Sequence, residues 1–417
     1  MEGIGNVTGP SHLSSSRHCP PLPQHPMFEN SSNFIIDGGT FINVSGQTGV
    51  TRLFDYTIPD AAHDSYLTDS KASCFPGTRT QYLQDITACM TSVSQERQQR
   101  LLWMWGPPGV GKSAIAKSCA KEIAAHGMLG ASFFFSRDNG VVDPARFFTT
   151  IAHQLSTQLY RYKAILDAKI QNDPALLTKG LEAQLYELIL APLLELKRQG
   201  MHIPQRAVSV DGLDECNNEN AQSEIVKAVA RSIGKYGSSV PLLWAFFSRP
   251  ERQISDAFSQ ESIPCPCWQI ELPVSREIGE EIRIYLQGTL RLRRLQNASN
   301  PASDGSTWPS VADLNKLVKI VAGLFIYAAN IARFVMDPNA LSPQRQLQEV
   351  LSSHSKLQMR SAQLSDTSNV TLELDAFYTL IMKRIPVAHL PVVQRILLIH
   401  TKVASQTVWP LIHGTLG

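Results

Sequence analysis

The segment Gly106–Ser113 carries the residue types that are needed to hold a phosphate group. It reads GPPGVGKS and fits the pattern G-x-x-x-x-G-K-[ST] at every defined position. The apolar run 101–105 precedes it, and a segment rich in Ala, Lys and Glu (113–126) that suits a helix follows it. Glycines allow successive backbone N–H groups to point at phosphate, and the start of a helix adds its positive end. The order strand, loop and helix therefore predicts a phosphate-binding loop.

Within this loop we expect Lys112 to reach the terminal phosphates and the Ser113 hydroxyl to bind Mg²⁺. The predicted nucleotide contacts are Gly106, Pro107, Pro108, Gly109, Val110, Gly111, Lys112, Ser113 and Ala114.

The acidic segment DGLDE (211–215) follows the apolar run 207–210. A carboxylate at the end of a strand beside a phosphate loop lies where Mg²⁺ needs an outer ligand, so Asp211 joins Ser113 as a predicted metal residue. Asp214 and Glu215 are placed to orient or deprotonate an attacking water molecule, and both are predicted to be catalytic.

A third motif, Ser248-Arg249-Pro250, ends the apolar run 241–247. Arg249 falls at a strand end and is predicted to sense the γ-phosphate as a catalytic residue. An arginine in such a position is equally suited to a salt bridge, and the residues alone leave both roles open.

Short apolar segments alternate with helical patterns from about residue 74 onward. The expected strands are 101–105, 131–135, 207–210 and 241–247. Buried strands separated by helices predict a parallel sheet that is covered on both faces, with its functional loops at the carboxyl ends of the strands. No strand is expected after residue 270. Helical periodicity in 276–294, 311–336 and 371–385 predicts a small helical domain after the sheet.

The overall composition excludes several classes of protein. The chain has 417 residues, with 38 Lys and Arg against 36 Asp and Glu, and this balance argues against a nucleic-acid binder that works through bulk charge. Seven scattered cysteines are typical of a reducing compartment, and the pair Cys265/Cys267 has no second pair to complete a zinc site. Neither a signal peptide nor a long apolar segment is visible, so we expect a cytoplasmic protein without membrane contact.

The three motifs, in this order, resemble the NACHT family of signal-transducing P-loop ATPases of the STAND class, which are NLR-like. More narrowly, the chain resembles the fungal, nephrocystin-like branch over roughly residues 31–400. The small residue Gly212 after Asp211, followed by two further acids, is similar to the pattern of the family. Five other segments carry the resemblance: 33–46, 74–79 (CFPGTR), 133–137 (FFFSR), 248–251 (SRPE) and 323–334.

The resemblance implies a P-loop NTPase fold: an α/β domain with a three-layer parallel sheet, a small helical domain and a partial winged-helix-like start. It also implies that Gly77, Thr78 and Arg79 contact the nucleotide near its adenine side, with ATP or ADP and Mg²⁺ as cofactors. The expected organisation is a disordered N-terminus (1–30), a short β element and linker (31–70), the NACHT domain (74–270), the helical domain (271–385) and an incomplete winged-helix-like segment (386–417).

The expected function is that of an ATP-binding switch, a slow ATPase, in NLR-like self/non-self or stress signalling. The resemblance implies self-association and an unidentified protein partner. A second hypothesis is a non-catalytic interaction module that nucleotide merely stabilises. A small-molecule kinase is disfavoured because no arginine-rich lid lies near the phosphate loop. The guanine-reading motif N-K-x-D is missing from the sequence, which favours ATP over GTP.

Overall fold

A computed structural model of the chain describes residues 48–69, 71–92, 99–237, 239–259, 261–297, 308–339, 342–361, 378–379, 381–382 and 385–405. The predictions for residues 1–30 and 33–46 lie outside these ranges, as does most of the helix predicted at 371–385.

Five parallel strands form one sheet in the order β2-β3-β4-β1-β5. Their bounds are Leu101–Trp105 (β1), Leu129–Phe134 (β2), Arg206–Asp211 (β3), Leu242–Ser248 (β4) and Cys267–Glu271 (β5). The four predicted strands are confirmed within two residues, and so is the α/β fold class with its parallel sheet. Sequence reasoning missed β5, which pairs with β1 at the sheet edge. None of its residues is fully buried, and Gln269 and Glu271 interrupt the apolar residues, so the segment lacks the apolar run that marks the other four strands.

Helices connect and follow the strands. The helices around the sheet are Gly49–Phe54 (α1), Tyr66–Asp69 (α2), Thr80–Thr91 (α3), Lys112–Ala125 (α4), Phe147–Gln158 (α5), Tyr160–Asn172 (α6), Leu181–Gln184 (α7), Ala191–Arg198 (α8), Glu219–Tyr236 (α9) and Arg252–Ala257 (α10), with a π-helical stretch, Leu185–Leu190, joining α7 to α8. The later helices are Gly279–Asn297 (α11), Val311–Val321 (α12), Phe325–Val335 (α13), Pro343–Ser361 (α14) and Leu390–Ser405 (α15). Among the described residues, no helix is long and apolar enough to cross a membrane.

Helices cover the sheet on both faces, which makes three layers. In β1, Leu101 and Trp103 point to one face, and Leu102 and Met104 point to the other. The first face packs mainly against α5, α6, α8 and α9. The second face packs against α3 and α4. Because successive side chains of a strand alternate, a strand that is buried on both sides must be apolar throughout, as β1 is.

The helices α11 to α14, called the helical domain below, have a hydrophobic core of their own. This core is built around residues such as Ile282, Leu317, Ile331 and Leu347. The segment 311–336, which was predicted as one helical stretch, is two helices. The break falls at Ala322 and Gly323, which both adopt positive φ angles (48° and 91°). A side chain at Gly323 would overlap the carbonyl oxygen of Ser275, so the turn packs directly against the segment that leaves the sheet.

Residues 48–69 pack against the sheet domain, although sequence reasoning assigned them to a linker. Val50 and Leu53 of α1 are buried in the core of the first face. The Val50 backbone N–H donates a hydrogen bond to the Asp167 carboxylate of α6 at 2.8 Å. The buried apolar residues of this segment are only Val50, Leu53 and Ala61, too few to form a periodic pattern in the sequence.

Candidate functional site

The phosphate-loop motif lies between β1, which is an inner strand of the sheet, and the start of α4. Gly109 and Gly111 adopt positive φ angles of 80° and 106°, a region that glycine enters without steric cost. Gly106 has no room for a side chain, because one would overlap the carbonyl oxygen of Leu272 at the end of β5. The sheet therefore holds the loop close to the first turn of α4, the geometry that suits an anion.

Lys112, the first residue of α4, is 9% exposed. Its ammonium group donates hydrogen bonds to the carbonyl oxygens of Gly106 (2.7 Å) and Pro107 (2.9 Å) within its own loop. Burial lowers the pKa of Lys112, whereas the carboxylates of Asp214 and Asp211 act in the opposite direction. The lysine thus lies over the loop, within the electrostatic reach of both acids.

Asp211 is the last residue of β3 and is 1% exposed. Burial raises its pKa to about 6, and the positive charge of Lys71 and a hydrogen bond with Ser113 partly oppose this rise. Its Oδ2 atom is buried and has no hydrogen-bond partner among the described residues. An unpaired carboxylate oxygen beside a serine hydroxyl is a set of hard oxygen donors that fits Mg²⁺.

No group of three or more His, Cys, Asp or Glu side chains within the described ranges is arranged to hold a metal ion. Mg²⁺ is usually held by one or two carboxylates together with substrate phosphates and water. Ser113 and Asp211 therefore fit a metal ion that arrives with a nucleotide, and they do not form a cage for a permanently bound one.

Asp214 and Arg249 form an ion pair where β3 and β4 end. The Arg249 backbone N–H donates to Oδ1 of Asp214 at 2.9 Å, and Arg249 Nε lies 3.2 Å from Oδ2. Asp214 is buried, whereas the Arg249 side chain is 46% exposed. Both oxygens of the carboxylate are therefore engaged by the arginine, and this pairing fixes where Arg249 projects.

Glu215 is held from the loop that follows β2. The backbone N–H of Arg137 donates to Glu215 Oε2 at 2.9 Å, and the Arg137 guanidinium donates to the Asp214 carbonyl oxygen at 2.8 Å. Arg137 belongs to the FFFSR segment that sequence reasoning noted only as part of a resemblance. Through these two hydrogen bonds, the loop after β2 holds both Asp214 and Glu215 in place.

A cavity of about 310 Å³ brings most of the predicted residues together. Those on its wall are Thr78, Arg79, Pro108, Gly109, Gly111, Lys112, Ser113, Ala114, Asp211, Asp214, Glu215 and Arg249. Gly77, Gly106, Pro107 and Val110 do not line it. Gly106, Pro107 and Val110 contribute carbonyl oxygens that position Lys112 and Arg79.

Arg79 links the phosphate loop to the helical domain. It is 3% exposed, and its guanidinium donates to the Val110 carbonyl oxygen at 2.8 Å. The same group lies over the Phe325 ring, 4.8 Å from its centre, and its Nε is 3.7 Å from a carboxylate oxygen of Glu281. Burial lowers the pKa of Arg79, and Glu281 partly offsets this effect. Arg79 thus acts as a buried bridge between two parts of the site.

The helical domain supplies a wall that sequence reasoning missed. Tyr285 of α11 and four residues of α13 line the cavity: Phe325, Ile326, Ala329 and Arg333. The positions 326, 329 and 333 share one face of a helix, a spacing that is visible in the sequence. What that face meets is decided only by the packing of α13 on the loop, where the Ile326 backbone N–H donates to the Gly109 carbonyl oxygen at 3.0 Å.

Three aromatic rings form a continuous row on the same wall. Phe75 and Tyr285 lie 5.8 Å apart between ring centres, and Tyr285 and Phe325 lie 6.0 Å apart, both edge to face. All three residues line the cavity. A row of rings next to a phosphate loop offers a planar apolar group a surface for stacking.

Comparison with known proteins gives one family match. Residues 77–249 match the family described as nephrocystin 3, N-terminal. The matched range starts at Gly77, includes the phosphate loop and the acidic segment, and ends at Arg249. No curated protein sequence matches the chain.

Among solved structures, similar chains include one from "Structure of Drosophila ORC bound to DNA" and one from "Structure of C. elegans PCH-2". The first is 13% identical, with a TM-score of 0.37 over 86% of this chain and 90% of that chain. The second is 13% identical, with a TM-score of 0.37 over 73% of each chain.

Proposed function

We propose that the cavity binds ATP together with Mg²⁺ and that the protein is a nucleotide-controlled switch. One observation carries the proposal: the phosphate loop, the Ser113–Asp211 pair and a face of the helical domain all line a single cavity. A ligand that fills this cavity touches both the sheet domain and the helical domain. Its presence therefore changes the free energy of the contact between them.

In this proposal, the loop N–H groups and the start of α4 hold the phosphates, and Lys112 exchanges its loop carbonyls for phosphate oxygens. Such an exchange is favourable because a charged acceptor makes the stronger hydrogen bond. Ser113 and Asp211 supply the protein ligands for Mg²⁺, which neutralises charge on the phosphates when it is bound. The aromatic row, with Thr78 and Arg79 beside it, provides the surface for the base.

For hydrolysis, we assign different roles to Asp214 and Glu215, the two acids that follow Asp211. Both Asp214 oxygens are held by Arg249, so Asp214 positions the arginine that senses the γ-phosphate. Glu215 lines the cavity and uses one oxygen to bind the Arg137 backbone. We therefore assign the orientation of the attacking water to Glu215.

The finer parts of the proposal come from the resemblance to NACHT proteins: slow turnover, self-association and a role in self/non-self or stress signalling. The contacts of Ile326 and Arg79 with the phosphate loop supply a physical route for the switch, because both join the helical domain to the residues that would hold phosphate. A nucleotide that shifts either contact would alter the angle between the domains.

We expect the Lys112→Ala variant to bind a fluorescent ATP analogue with Mg²⁺ at least about tenfold more weakly than the wild type, since one charge-assisted contact of about 1.4 kcal/mol is a factor of ten. Titration followed by fluorescence anisotropy measures this. Lys121→Ala is the matched control, because Lys121 lies on the same helix and outside the cavity. The same titration with a GTP analogue tests the preference for adenine. Equal affinity of the Lys112→Ala variant and the wild type would exclude the phosphate loop as the binding site.

A second candidate function is a non-catalytic, nucleotide-stabilised module for protein interaction. It is favoured by the internal pairing of the site, where Lys112 binds its own loop and Arg249 binds Asp214.

We expect Glu215→Gln to retain ATP binding and to lose at least about 90% of phosphate release, since general-base groups contribute roughly 10²–10⁴-fold. Single-turnover release of phosphate measures this, with the exposed Glu219→Gln as control. Equal, background-level rates in wild type and variant would favour the module.

A further inference from the structure

A second cavity lies at the amino ends of the strands, opposite the phosphate-loop cavity at their carboxyl ends. Its volume is about 660 Å³, and it is formed where α5 meets α6 and where the loop after α8 enters β3. Arg206, the first residue of β3, lines this cavity, whereas Asp211, the last residue of the same strand, lines the phosphate-loop cavity. At about 3.3 Å per residue, the two ends of the strand are roughly 16 Å apart. The two cavities are therefore separate sites.

The charge of the second cavity is of one sign. Its lining contains two arginines, Arg161 and Arg206, together with His202, and it contains no aspartate or glutamate. Neither arginine forms a salt bridge within the described part of the chain. The Glu195 carboxylate on the adjoining helix α8 is occupied by Arg198 and Gln199. The cavity thus lacks an internal counter-charge in this part of the molecule.

The hydrogen bonds of the two arginines are incomplete. Arg206 Nε is buried without a partner among the described residues, and its Nη1 donates to the carbonyl oxygen of the adjacent Gln205 at 3.0 Å. Arg161 is exposed, and its guanidinium donates to the Tyr160 hydroxyl and the Met201 sulfur. A thioether is a weak acceptor, and an unpaired buried N–H is costly. Both side chains would be better satisfied by an anion that accepts from them.

Apolar and aromatic side chains make up much of the rest of the wall, beside the amides of Gln158 and Gln199. Leu159, Met201 and Ile203 are half-buried there, and the Tyr160 ring is 73% exposed. A pocket with a few polar groups on a mainly apolar wall is typical of sites for small organic ligands, and its volume is in the usual range of such sites. An inorganic ion would accept hydrogen bonds from the arginines but would make no contact with these apolar side chains.

We propose that this cavity binds a small organic anion, a molecule with an apolar or aromatic body and a carboxylate, sulfonate or phosphate group that pairs with Arg161 and Arg206. Because the cavity is at the amino ends of the strands, its ligand and a nucleotide at the carboxyl ends occupy the protein together. The proposal is independent of the function assigned to the phosphate-loop cavity.

The test uses the full chain and the fluorescent anion 8-anilinonaphthalene-1-sulfonate. We expect one binding site for which the double variant Arg161→Gln/Arg206→Gln raises the dissociation constant at least about tenfold, as expected for the loss of charge-assisted bonds. The control is Arg231→Gln/Arg252→Gln, which removes the same charge from exposed positions outside the cavity. Arg161→Gln alone removes an exposed side chain and guards against misfolding. Citrate and inorganic phosphate are used as competitors.

N-phenyl-1-naphthylamine, which has the same rings without the sulfonate, separates charge from apolar contact. The proposal requires that this neutral probe bind more weakly than the sulfonate and that its binding be insensitive to the arginine variants. Lys112→Ala must leave sulfonate binding unchanged, because Lys112 belongs to the other cavity. Equal sulfonate affinity in the cavity double variant and the control double variant would overturn the proposal, as would an absence of sulfonate binding to the wild type.

Discussion

The Asp211→Asn variant is expected to be more stable than the ligand-free wild type and to bind nucleotide with Mg²⁺ about ten- to a hundredfold more weakly. The stability effect arises because the folded protein buries the Asp211 carboxylate at 1% exposure and leaves one of its oxygens without a partner among the described residues. Burial raises the pKa of this carboxyl from its ordinary 3.8 to about 6. A rise of roughly two units corresponds to about 3 kcal/mol of unfavourable free energy for the charged form at neutral pH.

The sign of the pH dependence follows from the raised pKa. The folded state holds its proton on Asp211 more tightly than the unfolded state, so the favourable contribution is complete below about pH 3.8 and is lost as the pH rises through about 6. The asparagine variant does not titrate. Its advantage in the free energy of unfolding should therefore be largest at pH 7 and above and should shrink towards pH 4.

Urea denaturation at a series of pH values measures this advantage, which we expect to be on the order of 1–3 kcal/mol at pH 7.5. Asp256→Asn is the matched control, because that carboxylate is 71% exposed and outside the cavity. In the same preparations, the affinity for an ATP analogue with Mg²⁺ should fall about ten- to a hundredfold, the usual loss when a group that supports a metal ion is removed. A variant that is less stable at pH 7.5 and binds the nucleotide normally would rule out both the buried charge and the metal role.

Gly109→Ala is expected to weaken the contact between the phosphate loop and the helical domain, beyond the effect of backbone strain. The φ angle of Gly109 is +80°, which costs an L-residue about 1–2 kcal/mol. In addition, the new methyl group would overlap Cγ2 of Ile326, whose backbone N–H binds the Gly109 carbonyl oxygen. The loop and α13 cannot both keep their positions once this methyl group is present.

Gly111→Ala separates the two effects. Gly111 has a φ angle of +106°, and a side chain there would have nothing within 4 Å. It therefore reports strain without the clash with the helical domain. We expect Gly109→Ala to destabilise the protein by at least about 1 kcal/mol more than Gly111→Ala, the order of cost for overpacking a well-packed contact.

The double variant Gly109→Ala/Ile326→Ala tests whether the extra cost comes from this contact. Shortening Ile326 removes the overlapping atom, so the two substitutions should couple by about 1 kcal/mol in the free energy of unfolding. Hydrogen exchange of the α13 amides gives an independent measurement, with faster exchange in Gly109→Ala and recovery in the double variant. Additive effects would show that the helical domain does not restrain the loop through Ile326.

The motifs of the site and the strands that carry them could be predicted from the sequence because they depend on local rules. A buried parallel strand must be apolar over its whole length, and a loop that wraps phosphate needs glycine, lysine and a hydroxyl at fixed spacing. These constraints act within about ten residues, so β1, β3 and β4 and the residues at their carboxyl ends were identified within one residue. The strand β5 follows a weaker rule, since none of its residues is fully buried and polar side chains interrupt its apolar ones, and it was missed.

The tertiary structure alone decided which of these residues act on each other. Asp214 and Glu215 are equivalent acids in the sequence, but the packing of β3 against β4 pairs the first with Arg249, and the loop after β2 binds the second. Arg79 and Arg333 reach the cavity only because α3 and α13 pack around the phosphate loop. Contacts between residues that are tens to hundreds of positions apart depend on how whole elements pack, and the local pattern of residue types does not encode that arrangement.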